Sequence, residues 1–556
     1  MNKTDWYKNA IVYQIYPYSF KDSNNDGIGD IKGIISKLDY LKDLGVNAIW
    51  FSPLYKTGYY DYGYDISDYY SINPDTGSME DFDNLLNECH SRDMKVIMDM
   101  VINHTSIDHP WFKEAIADKN SPYRDYYIIQ KGKIKDGKIS QPTNWKSTFT
   151  GSAWEHIEGT DEYYLHLFCK EQADLNWENP SVREEVKKIL RFWLDKGVDG
   201  FRFDVFNMFS KVWPLKDDEK KHNGECYFID GPRMHEFLKE LNDEVFSKYD
   251  CFTVGESYKP SPENATAYVN KDNHELDAIF NFAHLDCDNI SKFFPLPFSL
   301  KKFKEGLFSS QREGFKNGWN TLVIENHDNI RSVSRFGINT DKYRYEAATF
   351  LSLITFFGFG TPFIYQGEEI GMTSAPFKSI DEMNDPVSHF VYDMITGYGM
   401  PKSVAFKFVN GGARDHARTP MQWNSSTNAG FNEGAKPWQM INPNYKDINV
   451  ENDLKSDKSI YRFYQSVINL KKTKPVLRDG DIREYNHNHR QIIAYSRNDE
   501  IFVLGNFSSR TVKYKLPEEF GESDILLKNY PDLNKENEEL ILRPYEAIAF
   551  EKKKEA

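Results

Sequence analysis

The stretch GFRFDV, residues Gly200 to Val205, has the apolar density of a buried strand, yet it carries an arginine and an aspartate. Side chains alternate between the two faces of a strand, so Arg202 and Asp204 point the same way, two residues apart. A permanent cation and a carboxylate side by side at the end of an apolar strand suggest that this end does chemistry.

Seven other runs share this character: AIVYQIYP (10–17), VNAIWFSP (46–53), KVIMDMVINH (95–104), CFTVGES (251–257), DAIFNF (277–282), NTLVIENHD (320–328) and TPFIYQGEE (361–369). Each is short and rich in Val, Ile and Phe, as parallel strands covered on both faces should be. The segments between them have helical periodicity, and some close on glycine where a helix C-cap is expected, as in GIISKLDYLKDLG (33–45) and SVREEVKKILRFWLDKG (181–197). Eight alternating strand and helix units predict a closed (β/α)8 barrel.

The gap between the third and fourth runs is too long for one crossover and is rich in aromatic and turn residues. Residues 105–178 are therefore read as a small inserted domain, and residues 1–104 with 179–479 as the barrel. After the amphipathic YRFYQSVINLKK (461–472), short alternating strands such as QIIAYSR, IFVLGNF and TVKYKL take over. They predict a C-terminal antiparallel β-sandwich over residues 480–556.

Composition narrows the partners. With 556 residues and a formal net charge of -15, the chain is poorly suited to nucleic acid or an anionic membrane, and a neutral or cationic small molecule fits better. No basic segment followed by an apolar stretch opens the sequence, and no run of about 18 apolar residues occurs; a cytoplasmic monomer is the expectation. Five scattered cysteines form neither a disulfide framework nor a CxxC metal pair.

Barrel enzymes build their sites from the C-terminal ends of strands. Here those ends carry Asn103 and His104 (third), Arg202 and Asp204 (fourth), Glu256 (fifth), and His327 and Asp328 (seventh). A lone acid there reads as an ion pair or a solvated charge, but three converging carboxylates repel one another, and function is the usual reason for accepting that. A carboxylate pair suits glycosidic cleavage, one attacking the anomeric centre and one protonating the departing oxygen. Arg202 is expected to keep Asp204 ionised, while Glu256 holds a proton in a drier place.

The motifs VINH, GFRFDV, TVGES and ENHD, in that order, resemble the four signature regions of the α-amylase family of glycoside hydrolases (family 13). The resemblance runs from YQIYPYSFKDSNNDGIGDIKGI through GYDISDYY, YYLHLF, DLNWENP and SRFG to ARDHARTPMQW, and its wording looks like the oligo-1,6-glucosidase and dextran glucosidase branch. It implies Asp204 as nucleophile, Glu256 as general acid/base and Asp328 as stabiliser of the transition state. It further implies that Asp61, Tyr64, His104, Arg202, His327 and Arg414 hold a terminal glucose between the aromatic walls Phe149 and Phe168. Val205 resembles the residue that accompanies α-1,6 cleavage. The implied activity is a retaining exo-α-glucosidase acting on isomaltose and isomalto-oligosaccharides, with no organic cofactor. The rivals are an α-1,4-glucosidase, a sucrose-acting enzyme, a trehalose-phosphate hydrolase and, remotely, a non-catalytic carbohydrate-binding relative. Asn329-Ile330 and His416 depart from the wording common in the family.

The loop DSNNDGIGD (22–30) begins like a calcium loop, with Asp22, Asn24 and Asp26 at alternate positions before Gly27. The twelfth position is Gly33, so the EF-hand reading fails. Asp30 and the Ile28 carbonyl add oxygens, and the same loop binds calcium in the family this chain resembles; a structural Ca2+ is expected.

Overall fold

The computed structural model describes residues 3–135, 137–149, 151–220, 223–337 and 340–553. The eight apolar runs form one parallel sheet: β1 (Val12–Ile15), β2 (Ala48–Phe51), β3 (Lys95–Met100), β4 (Gly200–Phe203), β5 (Phe252–Glu256), β6 (Ala278–Phe280), β7 (Thr321–Val323) and β8 (Thr361–Tyr365). Each pairs with its neighbour in sequence, β8 pairs with β1 in the register Phe363 to Val12, and a bridge from Ile279 to Asn320 joins β6 to β7. This closes the expected (β/α)8 barrel.

Strand alternation sorts the core into two layers. Val12, Ala48, Trp50, Ile97, Phe252 and Phe363 pack together inside the barrel. Their sequence neighbours, among them Tyr13, Ile49, Met98, Phe201 and Phe203, pack outward against the helices. Arg202 and Asp99 therefore share the inward parity of Ile97, and the barrel axis receives a charged layer above its apolar one. The helix Pro180–Lys196 shows why the outer ring forms. Asn179 caps its first turn, Pro180 occupies the first helical position, and Gly197 ends it in a left-handed conformation at φ 106. The predicted 33–45 helix is instead two pieces, Ile31–Ile35 and Leu38–Leu44, the second closed by Gly45.

Between β3 and β4 the chain makes the helix Pro110–Ala117 and an antiparallel sheet of Ile129–Lys131, Trp154–His156 and Glu162–Leu165. Its ends are tied by pairing of His104–Ser106 with Gln172–Asp174.

C-terminal to the barrel, β9 (Ile482–Tyr485), β10 (Ile492–Arg497), β11 (Ile501–Asn506), β13 (Ser523–Lys528) and β16 (Ala547–Lys552) form one antiparallel sheet. A second sheet holds β12 (Val512–Lys515), β14 (Lys535–Glu536) and β15 (Glu539–Leu542). Residues from both sheets, such as Phe502, Leu504, Tyr514 and Leu540, share one core. Arg497 binds this unit to the barrel, donating to the carbonyls of Phe357 and Gly358 at 2.6 Å and of Leu477 and Gly480 at 2.7 Å. Among the described residues no helix is long and apolar enough to cross a membrane.

Candidate active site

The C-terminal ends of the strands open into a cavity of about 870 Å3, lined by Asp61, Tyr64, His104, Asp204, Glu256 and Asp328 among others. Arg202 organises its floor. One terminal nitrogen donates to Asp99 and to Asp204, each at 2.7 Å, and the other donates to Glu256. The guanidinium lies 5.2 Å from the Trp50 ring centre and 5.8 Å from that of Tyr64, so aromatic faces cover what the carboxylates leave open.

One guanidinium faces three carboxylates, and that imbalance decides where a proton sits. Burial pushes the Glu256 carboxyl up to about 8, with Asp204 and Asp328 adding to the rise and Arg202 opposing it. Burial likewise raises Asp204, to about 6, against Arg202 and with help from Asp99. The expectation that Arg202 dominates Asp204 is thus only partly met, because a cation divided among three acids does not offset the loss of water around each. The order of the two acids is as expected, Glu256 being the one that keeps its proton near neutral pH.

Asp328 is the opposite case. Burial works against its charge, yet its carboxyl is held well below the usual range. Because burial keeps His327 neutral, the positive charge comes from Arg414, Lys292 and Arg418. Arg418 donates to Asp328 at 3.0 Å and Arg414 at 3.4 Å. His327 is fixed by Gln14 at 2.7 Å on Nδ1 and by the Tyr64 hydroxyl at 2.7 Å on Nε2, and that hydroxyl donates to Asp99 at 3.0 Å.

The closed end of the cavity is a second charge network. Arg414 donates to Asp61 at 2.9 Å and to both oxygens of Asp385, at 2.5 and 2.8 Å. Gln172 reaches Asp61 at 3.3 Å, and His104 lies 5.2 Å from the Phe168 ring centre. Phe149 meets Phe168 edge to face at 5.4 Å, with the Arg414 guanidinium 5.5 Å from its ring centre. Every residue expected at the first sugar therefore lies on this cavity or directly against it.

Val205 has a backbone that its sequence does not disclose, at φ 37 and ψ 41. A β-branched residue in the left-handed region is strained, and this one lies beside Asp204 with its side chain on the cavity.

Asp99, Gln172, Asp385 and Arg418 went unread in the sequence. Only Asp99 left a signal, a carboxylate inside an apolar run at the parity of Arg202.

The Asp22–Asp30 loop is less convergent. Asp22 accepts from the amides of Asn25 at 2.6 Å and Gly27 at 2.8 Å, and Asp30 accepts from Ser23 and Gly33. Asn24 and Asp26 cap the amides two residues on, at 2.9 and 2.8 Å, and the Ile28 amide is the one Asp26 takes. Among the described residues no three Asp, Glu, His or Cys side chains are grouped to hold a metal ion. A cation here would draw on neutral oxygens, the Asn24 amide and the Ile28 carbonyl, as well as on carboxylates.

A (β/α)8 barrel with this carboxylate floor defines a glycoside hydrolase. The catalytic domain of the α-amylase family matches residues 14–480, and the C-terminal domain of the α-amylase SusG matches residues 492–549. The chain belongs to the α-amylase family. It is 48% identical to an oligo-1,6-glucosidase of Parageobacillus thermoglucosidasius over 98% of both chains. Among solved structures, it is similar to a trehalose-6-phosphate hydrolase of Bacillus licheniformis, with TM-score 0.92, 43% identity and 99% of each chain covered. It is also similar to an isomaltulose synthase of Erwinia rhapontici NX5, with TM-score 0.93, 39% identity and 98% and 99% coverage.

Proposed function

We propose that the protein is a retaining exo-α-glucosidase that releases glucose from the non-reducing ends of isomaltose and short isomalto-oligosaccharides. The observation that carries this reading is the sharing of Arg202 by Asp204 and Glu256. Two carboxyls that accept from the two terminal nitrogens of one guanidinium make the close pair that double displacement uses, rather than the wider pair that holds a water between them for single displacement.

In this reading Asp204 attacks the anomeric carbon while Glu256 gives its proton to the leaving oxygen. Glu256 then takes a proton from the water that cleaves the glucosyl ester, returning the α product. Asp328, ionised throughout, and Arg414 grip the sugar hydroxyls. The network of Asp61, Arg414 and Asp385 closes the far end, so only a chain terminus enters. Arg202 keeps the two reacting carboxyls in register, and His104, Tyr64 and His327 line the sugar between Phe149 and Phe168.

The α-1,6 preference rests on Val205. Its strained backbone holds a branched side chain beside the nucleophile, where an α-1,4-linked next sugar is crowded and the longer 6-linkage has room. The ratio of kcat/KM on isomaltose to that on maltose tests it, with isomaltose expected ahead. A preference for maltose keeps the mechanism and moves the choice of linkage to other residues.

One observation favours a second reading, a phosphorylated leaving sugar as in the trehalose-6-phosphate hydrolases. Lys292 lines the cavity with no hydrogen-bond or ion-pair partner among the described residues, and burial lowers its pKa to about 8. Asp328 faces it only through space, and a phosphate would add direct hydrogen bonds and a second negative charge. Calcium at the Asp22–Asp30 loop completes the reading as a structural cation, supported by the number of oxygens in one turn.

A further inference from the structure

The two reacting carboxyls stand on different strands, Asp204 just past β4 and Glu256 at the end of β5. Arg202 joins their side chains at the floor of the cavity. A second joint lies behind them, in the main chain, and its centre is Asn207.

Asn207 is fully buried, three residues after the nucleophile, and sits outside the cavity lining. Its side-chain oxygen accepts from the amide of Tyr258 at 2.9 Å, and its side-chain nitrogen donates to the carbonyl of the same residue at 2.9 Å. One carboxamide thus satisfies both main-chain groups of a residue two past Glu256, as a neighbouring strand would. The same nitrogen donates to Asp230 at 2.9 Å, and the Asp230 amide donates back to the Asn207 carbonyl at 2.8 Å. Asp230 also accepts from the Tyr268 hydroxyl at 2.7 Å and the Ser261 amide at 3.2 Å, so the clamp is itself anchored beyond the loop that follows β5.

Phe206 closes the other side. A Cβ placed on Gly255 would come within 2.4 Å of the Phe206 ring, so the ring lies directly on the main chain one residue before Glu256. Two consecutive residues of the segment that carries the nucleophile therefore hold the chain on either side of Glu256. The left-handed turn at Val205 is what sends Phe206 and Asn207 toward β5, and these contacts hold the turn in its strained conformation. Asp204 has an anchor of its own, its amide donating to the Met100 carbonyl at 3.1 Å. The far edge of the Glu256 loop is tied to β6 by the Ser257 hydroxyl, which donates to the Phe280 carbonyl at 3.1 Å. Removing the Asn207 side chain frees one edge of that loop and leaves the nucleophile seated.

We propose that Asn207 is a positioning residue that sets where the Glu256 carboxyl stands relative to Asp204, acting through the main chain of Tyr258. The inference rests on the retaining α-glucosidase reading, and within it Asn207 serves the proton donor rather than the nucleophile.

The experiment compares isomaltose with α-D-glucopyranosyl fluoride. The carbon–fluorine bond breaks as the Asp204 ester forms, and fluoride leaves as an anion without taking a proton, so a misplaced acid slows the disaccharide far more than the fluoride. Single-turnover rates of bond cleavage are read for the parent, Asn207→Ala, Asp230→Asn and Glu256→Gln. Asn207→Ala is expected to slow isomaltose cleavage by about 10²-fold and fluoride release only severalfold, so that the ratio of the two rates falls by about tenfold or more. Asp230→Asn keeps the volume of the junction and loosens Asn207, and is expected to lower the ratio severalfold.

Both rates are read on one preparation, so a partly folded variant scales them together and leaves the ratio alone. Equal losses on the two substrates in Asn207→Ala overturn the proposal, as does an unchanged ratio in Asp230→Asn where the alanine variant does not fold. Glu256→Gln separates the proposal from the reading beneath it. If that variant splits the two substrates and Asn207→Ala does not, this inference alone fails. If Glu256→Gln slows both substrates equally, the assignment of the acid falls and the inference falls with it.

Discussion

Arg202 and Arg497 are both fully buried, yet their surroundings differ in kind. Arg202 faces Asp99, Asp204 and Glu256, whereas Arg497 donates to five carbonyls at 2.6–3.1 Å and, among the described residues, makes no salt bridge. Burial lowers the Arg497 pKa to about 10, while the acids around Arg202 drive its pKa up. Neutral dipoles satisfy a buried cation without storing charge, which suits a joint between domains. Surplus carboxylates around a cation leave a negative excess that only a proton relieves, which suits a site that must deliver one.

The comparison breaks most sharply at Arg202. Arg202→Gln removes the cation that Asp204 and Glu256 share, and kcat/KM on isomaltose is expected to fall by roughly 10³-fold or more. Loss of less than about tenfold would show that the two acids are positioned without it. Arg497→Met is expected to spare kcat/KM and to cost about 3 kcal/mol of stability, read as a lowered thermal midpoint, because buried carbonyls lose their donor. A midpoint equal to that of the parent would assign the joint to apolar packing.

The dependence on pH sharpens the same contrast. The proposed mechanism needs Asp204 ionised and Glu256 protonated, so kcat/KM is expected to rise through about 6 and fall through about 8. Stability runs with the Glu256 proton. A carboxyl raised from 4.5 to about 8 in the folded state binds more protons than in the unfolded chain, and so costs stability progressively as pH climbs between those values. Glu256→Gln is therefore expected to be inactive and, relative to the parent, increasingly stabilised from pH 5 to pH 8; a pH-independent difference contradicts the raised carboxyl. The smallest effect expected is at the Asp22–Asp30 loop, where calcium added after chelation should raise the thermal midpoint by about 2 °C. No change removes calcium from the reading.

The fold was legible because parallel strands covered on both faces leave continuous apolar runs, and helices leave caps such as Gly45 and Gly197. The convergence of Asp204, Glu256 and Asp328 on one cavity was legible because they stand at the ends of those runs. Asp385 and Arg418 were not, since they lie in irregular chain with no period to mark which way a side chain points. The left-handed backbone of Val205 was illegible for another reason. Nothing about a valine announces positive φ, and only the turn that follows β4 imposes it. The pKa order of Asp204 and Glu256 was legible but the rise at Asp204 was not, for burial depends on contacts between residues far apart in sequence.

The paired helices Pro386–Gly397 and Lys402–Asn410 bear on how this scaffold can diversify. They occupy one continuous stretch, Pro386–Asn410, and are pinned at their root by the Asp385 to Arg414 ion pair. Glu256 and Asp204 lie on other segments entirely. This part of the cavity wall is thus carried by one continuous segment apart from the strands that bear Asp204 and Glu256, and exchanging it between relatives would change the wall and leave the reacting pair in place.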